Sequence, residues 1–485
     1  MVGVPGRSKG CSTCRRRKKG CDKKQPICTQ CSVAGLDCGG YERERVFLNH
    51  TQGTKAKHVP VIYRKGPQQA PHGVSDIALP DGLAQTAYVE KYISIFLGKY
   101  LPANLRGSSG DWIEIAHALH TSDKAIRFSL LSLGLFAVGE SQYAIQSYCW
   151  ALRNLHTALR VPLQAQSDST LAACKVLSLV EVFHGADENA LLQGTKWRSH
   201  VNGLLAIIQS RTPHLYQSGA SHQLFADGRY PLLISAVGNR QRTPLNTPEW
   251  RTIPWEKEPK SSIDKIYDMM ADLGEILAST DEMRCCEDPA RQANMHEELL
   301  RACKCLDQTL KSWLEEAGPL TDFHYDDGVI DDSTDHSGLP LAHMTLLYWT
   351  IHIVLYSTLI SIHDPHDPPR LQIPAEIDPR PYIRRVADAL PFFWRPGAGL
   401  CGANLAALPW GLCLHVAYAT PQRYPEEISL LEQFAMQQNL AAAVLPFLQS
   451  LQIDTGGPEM VSLGGREGLI LRAQRWMMAN PCSIA

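Results

Sequence analysis

Cysteines occupy positions 11, 14, 21, 28, 31 and 38, and the second three repeat the spacing of the first three 17 residues further on. The stretch from Cys11 to Cys38 holds almost no apolar material, so a buried core cannot be what folds it. The N-terminus, MVGVPGRSKGC, has no apolar signal core, and secretion is not expected. The 15 cysteines of the chain are therefore placed in a reducing compartment, where clustered thiols hold metal rather than form disulfides. Thiolates suit borderline metals, and structural zinc takes about four of them in a tetrahedron. Two independent sites would need about eight donors, more than the segment has. Sharing two thiolates between two zinc ions closes that gap. One site with two spare cysteines is the alternative, but it leaves the internal duplication without a purpose.

Charge is distributed as unevenly as the cysteines. The net charge is only −2, yet residues 1–66 carry 15 Lys/Arg against 4 Asp/Glu, and the remainder carries 32 against 45. A basic head on an acidic body expects the head to meet a polyanion. The run Arg15, Arg16, Arg17, Lys18 and Lys19 follows the second cysteine directly. Its charge offsets the surplus of six thiolates over two zinc ions.

The segment Cys11–Cys38, with its basic run, Asp22 after the third cysteine and Pro26 two before the fourth, resembles the fungal Zn2Cys6 binuclear zinc cluster of transcription regulators. The resemblance implies that Cys11, Cys14, Cys21 and Cys28 bind one zinc, and Cys28, Cys31, Cys38 and Cys11 the other, with Cys11 and Cys28 bridging. It also implies a short helix after each C-x2-C pair, the end of the first, around Arg17 and Lys18, entering the major groove of double-stranded DNA. Lys18 then donates to guanine O6 and N7 in a CGG-type triplet. Arg15, Arg16, Lys19, Lys23 and Lys24 engage phosphates, which set register without reading sequence. Gly20 stands where many members carry another basic residue. The competing reading of the cluster is a zinc knot for protein contacts, which the adjoining basic run disfavours.

Residues 1–40 form the cluster domain and 41–82 a linker broken by Pro60, Pro67, Pro71 and Pro80. From 83 to 485 the pattern is helical, and the expectation is a small N-terminal zinc cluster plus a large all-α body. Tyr88, Tyr92, Phe96 and Tyr100 recur every four residues, as do Val89, Ile93 and Leu97, marking one broad apolar face. Ser122-Asp123 opens a second helix that ends near Gly139. Further helices are expected at 142–160, 169–184, 195–210, 262–279, 290–316, 341–362, 381–393, 402–418, 426–450 and 465–479. Leu339 to Ile362 is apolar enough to raise a membrane span. Its histidines, Pro340 and lack of basic flanks favour a buried core helix instead, and no membrane partner is expected.

Trp197-Arg198-Ser199-His200, Gly203-Leu204-Leu205, Leu224-Phe225 and Pro248-Glu249-Trp250, in that order, make the body resemble the fungal-specific transcription factor domain. The junction Gly40-Tyr41-Glu42-Arg43 to Phe47 looks like that family as well. What this implies is a regulatory domain that takes a small-molecule or lipid effector, contacts the transcription machinery, or forms a homodimer. Residues 41–80 hold no heptads, so any dimer forms through the body. A dimer is preferred because one triplet gives little specificity against a genome. His200 and Trp197 read as packing residues, and the cysteines beyond Cys38 as ordinary thiols. Asp322 to Asp335 reads as a solvated loop, with an acidic activation segment as the lesser alternative. His363 to His366 reads as a surface turn. No P-loop, GxGxxG, HExxH or nucleophile elbow is present in the sequence, so no enzyme is expected. The resemblance places the chain in the nucleus, with Arg15 to Lys19 doubling as an import signal.

Overall fold

A computed structural model describes residues 10–24, 27–39, 81–100, 112–184, 193–318, 320, 338–363, 373–437 and 447–448. The chain divides into two compact units, Met1–Ile77 and Ala78–Ala485. No strand occurs among the described residues. The first unit carries α1 (Ser12–Arg16) and α2 (Thr29–Val33). The second begins with α3 (Asp81–Tyr100), which starts at Asp81 rather than 83, and continues with α4 (Trp112–Leu119), α5 (Lys124–Phe136) and α6 (Ser141–Leu159).

The stripe on α3 buries Ile93, Phe96, Leu97 and Tyr100 and leaves Tyr88 exposed. Asp123 caps α5, its carboxylate accepting from Ile126 N at 3.0 Å. The helix is over by Phe136, and Gly139 turns the chain at φ +82°. After a short α7 (Pro162–Ala165), Ser167 caps α8 (Asp168–Phe183), accepting from Thr170 N at 3.2 Å. Every residue of α8 from Thr170 to Phe183 is buried. It is the central helix of this half, packed by α4, α5, α6, α9 (Gln193–Gln209) and α10 (Gly219–Gly238).

No helix was expected at α10. Gly228 and Pro231 lie inside it, and nearly all of its sides are buried, so it shows neither good local propensity nor an amphipathic stripe. Tertiary packing overrides both signals. The short α4, α7 and α11 (Pro248–Thr252) were likewise not expected. The second half packs around α14 (Leu339–His363), flanked by α12 (Ser262–Arg284), α13 (Pro289–Ala317), α15 (Arg380–Trp394) and α16 (Gly399–Ala419). The apolar stretch Leu339–Ile362 is 83% buried inside this bundle, in line with the core-helix reading. The expected helix 426–450 is described in α17 (Pro425–Gln437) and again as helix at 447–448, the rest of it lying outside the described residues.

Arg229 of α10 pairs with Asp264 at 2.6 Å and Asp268 at 2.8 Å on α12. Tyr230 donates to Leu405 O of α16 at 2.8 Å. These bonds tie the two halves of the body together. The junction at 40–47, the linker stretch 41–80, Asp322–Asp335, 364–366 and the expected helix 465–479 lie outside the described residues.

Candidate metal centre and nucleic-acid interface

The 17-residue repeat in the sequence is also a repeat of local structure. Cys11 is the N-cap of α1, its Sγ accepting from Cys14 N at 3.3 Å. Cys28 is the N-cap of α2 and accepts from Cys31 N at 3.4 Å. A thiol at this position faces the unpaired N–H groups of the first turn, which favours the thiolate. Each helix then ends in a left-handed residue, Lys18 at φ +54° and Gly35 at φ +60°. The turns close with the same bond, Lys19 N to Cys14 O and Leu36 N to Cys31 O, both at 3.0 Å.

Two clasps hold the halves together. Asp22 accepts from Thr29 N at 3.1 Å and from the Thr29 hydroxyl, and that hydroxyl bond lowers the Asp22 pKa. At the other end, Ser12 Oγ donates to Gly39 O at 2.6 Å and Gly39 N donates to Thr13 Oγ1 at 2.9 Å. A Cβ on Gly39 would lie 2.2 Å from Ser12 Oγ, so this clasp requires glycine.

Between the clasps the thiols converge. Cys11 and Cys28 Sγ are 3.7 Å apart, Cys11 and Cys31 3.7 Å, and Cys14 and Cys28 3.6 Å. A tetrahedral zinc with bonds of about 2.3 Å spans ligand edges of about 3.8 Å, so these separations fit that metal. The six sulfurs fall into two quartets, Cys11-Cys14-Cys21-Cys28 and Cys11-Cys28-Cys31-Cys38, each within 4.8 Å. Cys11 and Cys28 are common to both. Burial pushes the Cys14 thiol up to about 12 and raises Cys28 and Cys31 as well. Thiolates packed this closely need the charge of a metal.

Arg15, Arg16, Arg17, Lys18, Lys19, Lys23 and Lys24 are all exposed on this unit. The clasps and the left-handed Lys18 were not among the sequence readings. Aligning the chain with itself at an offset of 17 pairs Lys18 with Gly35, and that pairing was the available signal.

In the body, His200 Nε2 donates to Tyr148 OH at 2.9 Å, and Tyr148 donates to Glu181 Oε1 at 2.6 Å. Burial holds His200 at about 4, so it is a neutral packing residue. Trp197 is buried against Phe447. Cys174, Cys303 and Cys413 are buried thiols, and Cys285 and Cys305 are exposed. Glu90, His117 and His120 form a further group of metal-type donors. His120 Nε2 already contacts Glu90 Oε1 at 2.6 Å, the geometry of an ion pair.

With this geometry in hand, two family profiles match the chain. Residues 91–384 match the fungal specific transcription factor domain, and residues 9–45 the fungal Zn(2)-Cys(6) binuclear cluster domain. The first match covers more than half of the chain, which therefore belongs to the fungal specific transcription factor family, with a cluster domain that binds two zinc ions at its N-terminus. Among curated proteins, the transcription regulator lscL of Purpureocillium lilacinum is 26% identical over 188 residues. That alignment spans 35% of this chain and 43% of the relative, less than half of its length. No solved structure matches.

Proposed function

We propose that the chain is a nuclear, sequence-specific DNA-binding regulator of RNA polymerase II genes that reads a CGG-type triplet through Lys18. In this reading Cys11, Cys14, Cys21, Cys28, Cys31 and Cys38 are the zinc ligands, and Cys11 and Cys28 bridge the two ions. Residues 1–40 form the DNA-binding domain, 41–82 the linker and 83–485 the regulatory body. The observation that carries the reading is the backbone of Lys18. Its repeat partner is Gly35, the residue for which a left-handed turn costs nothing. A lysine there costs about 1 kcal/mol, as at Lys23 with φ +63°, and of the two it is Lys18 that stands at the end of α1. An exposed ammonium at the end of α1 suits guanine O6 and N7 in the major groove. Arg17 flanks it, and Arg15, Arg16, Lys19, Lys23 and Lys24 bind phosphates.

The body supplies regulation. It forms the homodimer that pairs two triplets, and it holds a small-molecule or lipid effector. Fluorescence anisotropy with the zinc-loaded full chain tests the DNA reading. A CGG-containing duplex should bind at least about tenfold tighter than a scrambled one. Its log affinity should fall with log salt at a slope near −0.9 per phosphate contact. Lys18→Gly should keep the zinc and lose the sequence preference. Equal, salt-insensitive binding of both duplexes would reject the reading in favour of a zinc knot for protein contacts.

A further inference from the structure

A cavity of about 620 Å³ lies within the helical body, walled by residues of α8, α10, α12, α14 and α16 among others. Its volume falls in the range that small-molecule sites occupy. One end holds both a cation and a carboxylate. Lys175 of α8 stands 4.1 Å over the ring of Trp112. Asp227 of α10 accepts from Trp112 N at 3.3 Å and from Gln223 Nε2 at 3.0 Å. Burial raises the Asp227 pKa and the Lys175 charge lowers it, so the two groups act on each other electrostatically at this end.

Away from that end apolar side chains mix with the small polar ones of Ser178, Ser261, Ser262 and Asn404. Leu179 and Val182 follow Lys175 along α8, Ile234 follows Asp227 along α10, and Leu405 and Leu408 come from α16. His343 of α14 also lines this space. Its ring is 5% exposed and stands edge-on to Tyr230, with centroids 4.9 Å apart. The imidazole Nε2 has no hydrogen-bond partner among the described residues. A buried polar atom left in that state is costly, and in the wall of a cavity a group that enters the cavity satisfies it. Burial pushes His343 down to about 3, so the ring is neutral and suits a neutral partner. A charged ligand would enter a wall that already carries both signs, Lys175 beside Asp227 and Asp264, with no surplus of opposite charge to offset its desolvation.

We propose that this cavity binds an uncharged, largely hydrocarbon small molecule whose hydroxyl or carbonyl group hydrogen-bonds Nε2 of His343. This rests on the reading of the body as effector-responsive and names the chemistry of its effector.

Trp112 and Trp197 line the cavity, so a bromine inside it quenches tryptophan fluorescence. The test titrates the full zinc-loaded chain with 11-bromo-1-undecanol and, separately, 11-bromoundecanoate. The alcohol should quench saturably at one per chain and bind at least about tenfold tighter than the acid. His343→Leu should weaken the alcohol about tenfold and His343→Gln should recover part of the loss. Ala407→Phe, which fills the cavity from α16, should abolish quenching while the helical circular dichroism is retained. An acid that binds as well as the alcohol, or a His343→Leu chain with unchanged alcohol affinity, would overturn the ligand class and anchor. Saturable quenching by neither compound would overturn the site itself. If the alcohol binds as described but leaves DNA affinity unchanged, the site stands and the effector reading beneath it falls.

Discussion

Cys28 and Cys38 are both cysteines of the cluster, yet their positions give them different weight. Cys28 belongs to both thiol quartets and also caps α2, whereas Cys38 belongs to one quartet. Cys28→Ala should therefore drop zinc content from two per chain toward none and unfold the first unit, because metal binding supplies most of its folding free energy. Cys38→Ala should retain more zinc than Cys28→Ala. Metal analysis of the two purified full-length variants checks this, and equal zinc in Cys28→Ala and wild type would contradict the bridging assignment. The Tyr148 hydroxyl is a comparable junction in the body, bonding both Glu181 and His200. Tyr148→Phe should cost about 1–3 kcal/mol, since it takes a partner from the buried Glu181 and from the half-buried His200. Urea denaturation measures the loss.

At the scale of elements, Gly134 on α5 sets how closely α3 approaches. A Cβ there would lie 2.1 Å from the carbonyl oxygen of Tyr92. Helix propensity alone expects Gly134→Ala to stabilise by about 1 kcal/mol. The contact with backbone reverses the sign, and a loss of about 2 kcal/mol or more is expected from the forced separation of α3 and α5. A rise in thermal midpoint would refute that packing. The same contrast explains which elements the sequence showed. α13 displays Leu299, Cys303, Leu306, Leu310 and Trp313 as one stripe, begins with a capping Asp288 and Pro289, and ends at Gly318, so its periodicity and boundaries were readable. α10 has glycine and proline inside it and no polar face, and only its neighbours make it helical. The cysteine cluster was legible because all six thiols lie within one short segment. The cavity was not, because Lys175, Asp227, His343 and Leu405 are brought together from four distant helices.

Over the whole molecule, buried neutral histidines set an acid limit. Burial holds His352 at about 4 and His343 at about 3, against an ordinary 6.5. Their folded pKa values are depressed, so the unfolded chain binds more protons between those limits. The stabilisation is complete above 6.5 and is lost as pH falls toward 4. By pH 5 each of these two contributes a loss of about 2 kcal/mol, and His352→Gln should flatten the decline. Thermal midpoints of the full chain between pH 7.5 and 4.5, followed by helical circular dichroism, report it. A midpoint unchanged from pH 7 to 5 would show that these rings are not buried as neutral groups.

The proposed role of the zinc cluster as a reader of DNA rests most heavily on Lys18. The most direct measurement is selection from random duplex DNA on the zinc-loaded full chain, run in parallel with Lys18→Gly at equal zinc content. Wild type should enrich a CGG-like triplet, paired if the body dimerises, and Lys18→Gly should enrich none. Enrichment of the same triplet by both proteins would remove Lys18 as the reading residue. No enrichment by wild type at full zinc occupancy would contradict sequence-specific DNA recognition altogether.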